Sequence, residues 1–319
     1  GTDQDVPQRI HESAFRGATP ATVRSGSTVH VAEKRKGNPT TKLRVLLIGH
    51  QFQVPSEGQA KALALSQFQD LDVNVLCPDR YREAEVRWRF PQYSDENIGA
   101  SDFKFCTTRV RNAWCGPAKW YLQWYPRLGK KLSALKPDIV DLWEEPWSLL
   151  SAQVAYLCRT ALPNCRFISE TEQNIDKNLP PPFEFFRRVS LKRADYVVAR
   201  NQEAVSVVRR KGFTGPVKVV GNGVDTEVFR PMDRDVCRSI HSVGGFVVGY
   251  AGRLIEEKGL RTLVQALRHM DGPRTLLLSG DGPLKQELVA ENFVKWCGIL
   301  PREKLPCFYN ALDALVLPS

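Results

Sequence analysis

Two cations, Arg253 and Lys258, lie in one short stretch, residues 247–267 (VVGYAGRLIEEKGLRTLVQAL), with Gly249 and Gly252 before them and Gly259 after. Glycine has no Cβ, so such a stretch can turn sharply and let a ligand approach the backbone. Leu260, Leu263, Val264 and Leu267 recur at i, i+3, i+4 and i+7, which predicts a helix beginning near Gly259 with one buried face. Its free N–H groups and positive dipole end then point where the two cations point, an arrangement suited to a doubly charged anion. The same residues equally describe an ordinary strand, turn and helix with solvated cations.

Three further motifs surround this stretch. Downstream, residues 274–284 (RTLLLSGDGPL) predict a buried strand ending in a turn at Gly280, Asp281 and Gly282; upstream, Asn222 to Asp225 read NGVD, with Phe229 and Pro231 following. The last residues, 308–319, read FYNALDALVLPS. With GRL-x-x-x-KG over residues 252–259, these four in this order resemble the retaining glycosyltransferases of family 4, which have the GT-B fold, over the chain from about Lys42 onward.

The resemblance implies an α/β protein of two Rossmann-like parallel-sheet domains facing a cleft. It implies Arg253 and Lys258 as the catalytic cations beside a leaving diphosphate, with Gly252, Gly259, Gly280, Asp281, Gly282, Val294, Lys295 and Asn222 around the donor. Substrate would be a UDP-, GDP- or ADP-sugar, with no cofactor and no metal, and retention would follow from front-face attack without an enzymic nucleophile. The acceptor would be a glycan, a lipid-linked sugar or a small molecule. Family members also carry two glutamates and a returning helix after the strand in residues 313–319, so the second domain is expected to be incomplete. Other readings remain: a non-catalytic module binding nucleotides or anions, or a GT-B sugar phosphorylase or epimerase.

Composition bounds these readings. A chain of 319 residues suits two domains, and 45 Lys and Arg against 35 Asp and Glu, a net charge of +10, favour an anionic partner. No apolar run approaches the length of a membrane span, and no nucleic-acid motif accompanies the charge. The eight cysteines are scattered without C-x-x-C and the five histidines do not cluster, which points to a reduced cytoplasmic setting and away from zinc.

The elements that must position the chemistry follow. Residues 1–41 read as a disordered or loosely attached tail. Residues 42–231 form an N-terminal acceptor domain, 232–245 a polar hinge, and 246–319 a nucleotide-sugar domain. LRVLLIG (43–49) is a strand, then a loop with His50 and Gly58, then a helix with Ala60, Leu63, Ala64 and Phe68 on its apolar face. His50 is either a strand-end cap or a substrate contact. The strands in 137–146 and 166–174 end in Glu144, Glu145, Glu170, Glu172, Gln173 and Asn174, which converge on the cleft. Gln173 occupies the place of a donor-contacting histidine in many family members, and Glu172 is either a substrate-orienting or a solvated carboxylate. Asn222-Gly223 predicts a tight turn with positive φ. Basic and aromatic residues mix over 80–136 and again over 183–193, fitting either self-buried helices or peripheral contact with the cytoplasmic membrane face.

Overall fold

The computed structural model describes residues 42–83, 87–91, 103–112 and 120–318. The expected tail, and part of the basic-aromatic region, lie outside the described residues.

Continuous apolar runs make the central strands. In β1 (Leu43–Ile48) the last four residues are buried, as a strand covered on both faces requires. There follow a 3-10 turn (His50–Gln53), a π turn (Pro55–Gln59), α1 (Ala60–Ser66), β2 (Leu71–Pro78), an antiparallel hairpin of β3 (Tyr81–Glu83) and β4 (Arg87–Arg89), β5 (Lys104–Thr108), α2 (Leu128–Leu135), β6 (Ile139–Leu142), α3 (Leu149–Thr160), β7 (Arg166–Thr171), α4 (Phe183–Arg193), β8 (Tyr196–Ala199), α5 (Gln202–Arg210) and β9 (Val217–Val219). Seven of these strands form one parallel sheet in the order β5-β2-β1-β6-β7-β8-β9. The order reverses at β1, and such a switch point opens a crevice beyond the carboxyl ends of the strands. Leu46, Ile48, Val140, Leu142 and Phe167 pack with α2 and α3 on one face. Val45, Leu47, Val73 and Val75 pack with Phe52 on the other.

The second sheet is smaller. After α6 (Arg234–His241) come β10 (Phe246–Ala251), a 3-10 turn (Glu256–Lys258), α7 (Leu260–Arg268), β11 (Arg274–Ser279), α8 (Lys285–Val289), β12 (Val294–Trp296), α9 (Leu305–Asn310) and β13 (Ala314–Leu315). Four parallel strands run in the order β12-β11-β10-β13. Val248, Tyr250, Leu276 and Leu278 meet Leu260, Leu263, Val264 and Leu267 of α7. Those are the four helix positions the apolar spacing singled out.

Several local expectations need correction. Helix α1 buries Ala62 rather than the predicted face, and Phe68 is 59% exposed. The helix ends at Ser66, before Phe68, and its entry is set by the π turn at Gly58, whose missing Cβ would lie 2.7 Å from the Phe52 backbone nitrogen. Asn222 and Gly223 do not adopt positive φ; instead Asp225 folds the next residues back, accepting the amides of Glu227 (3.1 Å) and Val228 (3.3 Å). Gly249 serves no turn: it lies inside β10, where a Cβ would stand 2.2 Å from Leu312. The polar stretch 232–245 contains α6, whose N-cap Asp233 accepts the Val236 amide at 3.0 Å. In the basic-aromatic region the self-buried alternative holds for α2: Tyr125, Leu128 and Leu132 are core residues.

Candidate functional site

The glycine turns of the second sheet are locked backbone to backbone. Gly252 N–H donates to Ser279 O (2.9 Å), Leu254 N–H to Asp281 O (2.9 Å) and Leu284 N–H to Leu254 O (3.1 Å). A Cβ on Gly280 would lie 1.8 Å from Gly252 O, and one on Gly282 2.4 Å from Leu254 O. No side chain larger than hydrogen fits at either place. The Asp281 carboxylate accepts its neighbour Gly282 N–H at 2.9 Å. The buried Tyr250 hydroxyl donates to Arg253 O at 3.0 Å, fixing the turn that carries the exposed Arg253 side chain.

Lys258 ends the 3-10 turn, and Gly259 (φ +63°) is the N-cap of α7. The left-handed conformation there favours glycine, and a Cβ would come within 3.1 Å of Pro318. The first N–H groups of α7, which have no acceptor within the helix, thus lie next in the chain after Lys258. The structure thus places Gly252, Arg253, Gly280, Asp281 and Gly282 at the carboxyl ends of β10 and β11, with Lys258 and Gly259 at the start of α7. Val294 and Lys295 sit on the edge strand β12, and the Lys295 ammonium donates to Ser242 O at 3.2 Å, beyond the end of α6. Trp296, beside them, donates its indole N–H to Gly280 O (2.8 Å) and lies under Lys285 Nζ (3.4 Å).

The first sheet opens a cavity of 1440 Å³ beyond β1, β6, β7 and β8, lined among others by His50, Lys61, Asp141, Trp143, Glu170, Arg200, Asn222 and Arg302. Its floor is a network of charges. Lys61 donates to Asp141 (2.7 Å) and to Glu170, and Arg200 donates to Glu170 and, at 3.4 Å, to Glu172. Arg200 also stacks on Trp143, its guanidinium carbon 4.4 Å from the ring centroid. Burial and the neighbouring Asp141 push the Glu170 carboxyl up to about 7, despite Lys61 and Arg200. Of this network the sequence reading had only Glu170 and Glu172. The available signal for the rest was a lone aspartate inside an apolar strand, IVDL, which must find a cation when buried.

A second cavity of 630 Å³ shares His50, Trp143, Glu170 and Glu172 with the first and is lined also by Tyr81, Tyr121, Glu144, Glu145, Trp147, Gln173, Lys177 and Phe183. His50 Nδ1 and Glu144 Oε1 share a 2.6 Å hydrogen bond, and the imidazole stacks on Tyr81 with centroids 4.0 Å apart. Glu172 accepts the Trp143 indole N–H at 3.3 Å. Gln173 spends its side-chain amide within its own loop, donating to Ile175 O at 3.0 Å. Gly58 lines neither cavity and serves the packing described above. Among the described residues no cluster of three or more His, Cys, Asp or Glu side chains is arranged to hold a metal ion, and no helix is long and apolar enough to cross a membrane.

The family model for Glycosyltransferase Family 4 matches residues 60–228, and that for Glycosyl transferases group 1 matches residues 245–319. The chain belongs to glycosyltransferase family 4. Among curated proteins this family 4 chain is 28% identical over 204 residues to 2-deoxystreptamine glucosyltransferase of Streptomyces kanamyceticus, covering 56% of the chain and 52% of that protein. The match thus spans about half the length of that relative. Among solved structures, sucrose-phosphate synthase from Thermosynechococcus elongatus aligns with a TM-score of 0.66 at 17% identity, over 87% of this chain and 76% of that one. Anabaena HepE in complex with UDP aligns with a TM-score of 0.57 at 17% identity, over 87% and 74%. These likenesses, with the two parallel sheets, give the fold as GT-B.

Proposed function

We propose that the protein transfers a sugar from a nucleotide-sugar to an acceptor with retention of configuration and without a metal. Residues 42–231 serve as the acceptor domain and 246–319 as the nucleotide-sugar domain, with 232–245 joining them. The observation that carries the reading is the locked pair of glycine turns at the ends of β10 and β11, with Arg253 at the end of β10 and Lys258 at the start of α7.

When the bond to the anomeric carbon breaks, negative charge grows on the departing diphosphate. Cations and N–H groups fixed before the reaction stabilise that charge more in the transition state than in the ground state. Arg253, Lys258 and the first turn of α7 supply such groups. The glycines let the diphosphate approach the backbone, and Asn222, at the edge of the larger cavity, contacts the donor sugar from the opposite side. A UDP-sugar is the favoured donor within the UDP, GDP and ADP series, since HepE is described in complex with UDP. His50 and Glu172 hold the acceptor or the sugar at the mouth shared by the two cavities. The acceptor is a glycan, lipid-linked sugar or small molecule. The Phe185 ring, 57% exposed on α4 near Arg188 and Lys192, supports peripheral membrane contact.

The test is consumption of a panel of UDP-, GDP- and ADP-sugars, with Lys258→Ala as control. One donor consumed by the wild type and spared by the variant is the expected result. Nucleotide binding without consumption of any donor would leave a binding module in its place.

A further inference from the structure

The 630 Å³ cavity falls within the roughly 300–1,000 Å³ of small-molecule sites. Its wall contains an aromatic cluster: Tyr121 and Trp147 with centroids 3.8 Å apart, and Phe183 at 6.1 and 6.2 Å from them. Ring faces of this kind take the C–H surface of a sugar-like ring, and they attract cations.

The carboxylates lining the cavity are not equally compensated. Glu170 is paired with Lys61 and Arg200, Glu172 lies against Arg200, and Glu144 is bonded to His50. Glu145 is held only by uncharged donors, Thr171 Oγ1 at 2.8 Å and the Glu172 backbone N–H at 2.7 Å. Among the described residues no Lys, Arg or His forms an ion pair with it. Burial, with Glu172 and Glu144 nearby, pushes its carboxyl up to about 7. An uncompensated carboxylate in an aromatic-walled cavity is costly unless a cation arrives from outside.

We propose that this cavity is the acceptor site and that it takes a small polyhydroxylated amine, its ammonium against Glu145 and its ring against the Tyr121, Trp147 and Phe183 cluster. The word acceptor rests on the transferase reading; the ammonium preference does not. A phosphorylated or carboxylated ligand would face Glu144, Glu145 and Glu172 together and is disfavoured. Lys177 and His50, which also line the cavity, border the site, with His50 already bonded to Glu144.

The test is equilibrium binding of 2-amino-2-deoxyglucose and 6-amino-6-deoxyglucose against glucose at pH 7.5, without donor. At least one amine should bind about tenfold more tightly than glucose. In Glu145→Gln, with circular dichroism confirming the fold, the preference should vanish while glucose binding stays. Should that variant not fold, the wild type still decides: its preference for the amine should grow from pH 6 to pH 7.5 as Glu145 ionises. Equal affinity for amine and glucose, a preference that survives Glu145→Gln or is flat with pH, or no binding of any of the three overturns the proposal. If the amines bind but no nucleotide-sugar is ever consumed, the cavity assignment stands and the transferase reading falls. If neutral acceptors are glycosylated with no amine preference, the reverse holds.

Discussion

On the floor of the larger cavity Lys61, Asp141, Glu170 and Arg200 satisfy one another, whereas in the second sheet Arg253 is exposed and, among the described residues, no carboxylate forms an ion pair with it. The first arrangement spends its charges on structure and leaves a rigid polar floor. The second backs a cation with a backbone that cannot move and leaves its charge for an incoming anion. Arg253 and Lys61 are therefore expected to fail differently when changed: one through turnover, the other through folding.

The largest effect expected is on turnover. Lys258→Ala should lower kcat/KM for donor consumption by about 100-fold, on the order of 3 kcal/mol of transition-state stabilisation. Arg253→Ala should lower the rate alike, with an unchanged thermal midpoint. A fall in the midpoint with little change in rate would erase the contrast between the two regions.

Next comes Gly280→Ala, where the new Cβ must displace Gly252 O from 1.8 Å. A loss of stability of about 3 kcal/mol, read from urea unfolding, is expected, because both sides of the clash are backbone. Lys61→Met should cost about 2 kcal/mol, since it leaves Asp141 and Glu170 each short of a cation in a part-buried site. Its midpoint should fall while the affinity for a bare nucleotide stays.

The last effect is a pH slope. Glu145 and Glu170 titrate near 7 in the folded chain against a reference of 4.5. Between those values the folded chain holds more protons than the unfolded one, so stability should fall as pH rises through that window and level off above about 7. Urea midpoints measured from pH 5 to pH 8 should show this, with a shallower slope in Glu170→Gln. A slope of opposite sign would mean that the network is better compensated than its geometry indicates.

How much of this was legible in the sequence differs between the same two regions. In the second sheet the chemistry is local: GRL-x-x-x-KG holds turn and cations within a few residues, GDGP holds the turn that locks against it, and the apolar spacing of α7 gave its buried face. In the first sheet Lys61, Asp141, Glu170 and Arg200 come from four separate elements, and only the parallel order of β1, β6, β7 and β8 brings them together. Register is a tertiary property, so nothing in the local sequence singled out Lys61 or Arg200. Two residues of the FYNALD motif show a related gap. Asn310 donates to Arg230 O (3.0 Å) and accepts the Met232 N–H (3.0 Å). Asp313 accepts the Val247 N–H at 2.7 Å and binds Arg234 and Arg238 of α6. As letters they carried a family likeness; in the fold they clip residues 230–238 to the start of the second sheet.

The ladder of hydrogen bonds that runs on past β10 and β11 through Gly252, Leu254 and Asp281 makes the two turns a continuation of the sheet. Surface loops commonly exchange their amide protons quickly and stiffen only when a ligand arrives. Here the mould exists before the casting: the amides of Gly252 and Leu254 should exchange slowly in the empty protein, and a nucleotide entering it would forfeit little chain entropy on arrival.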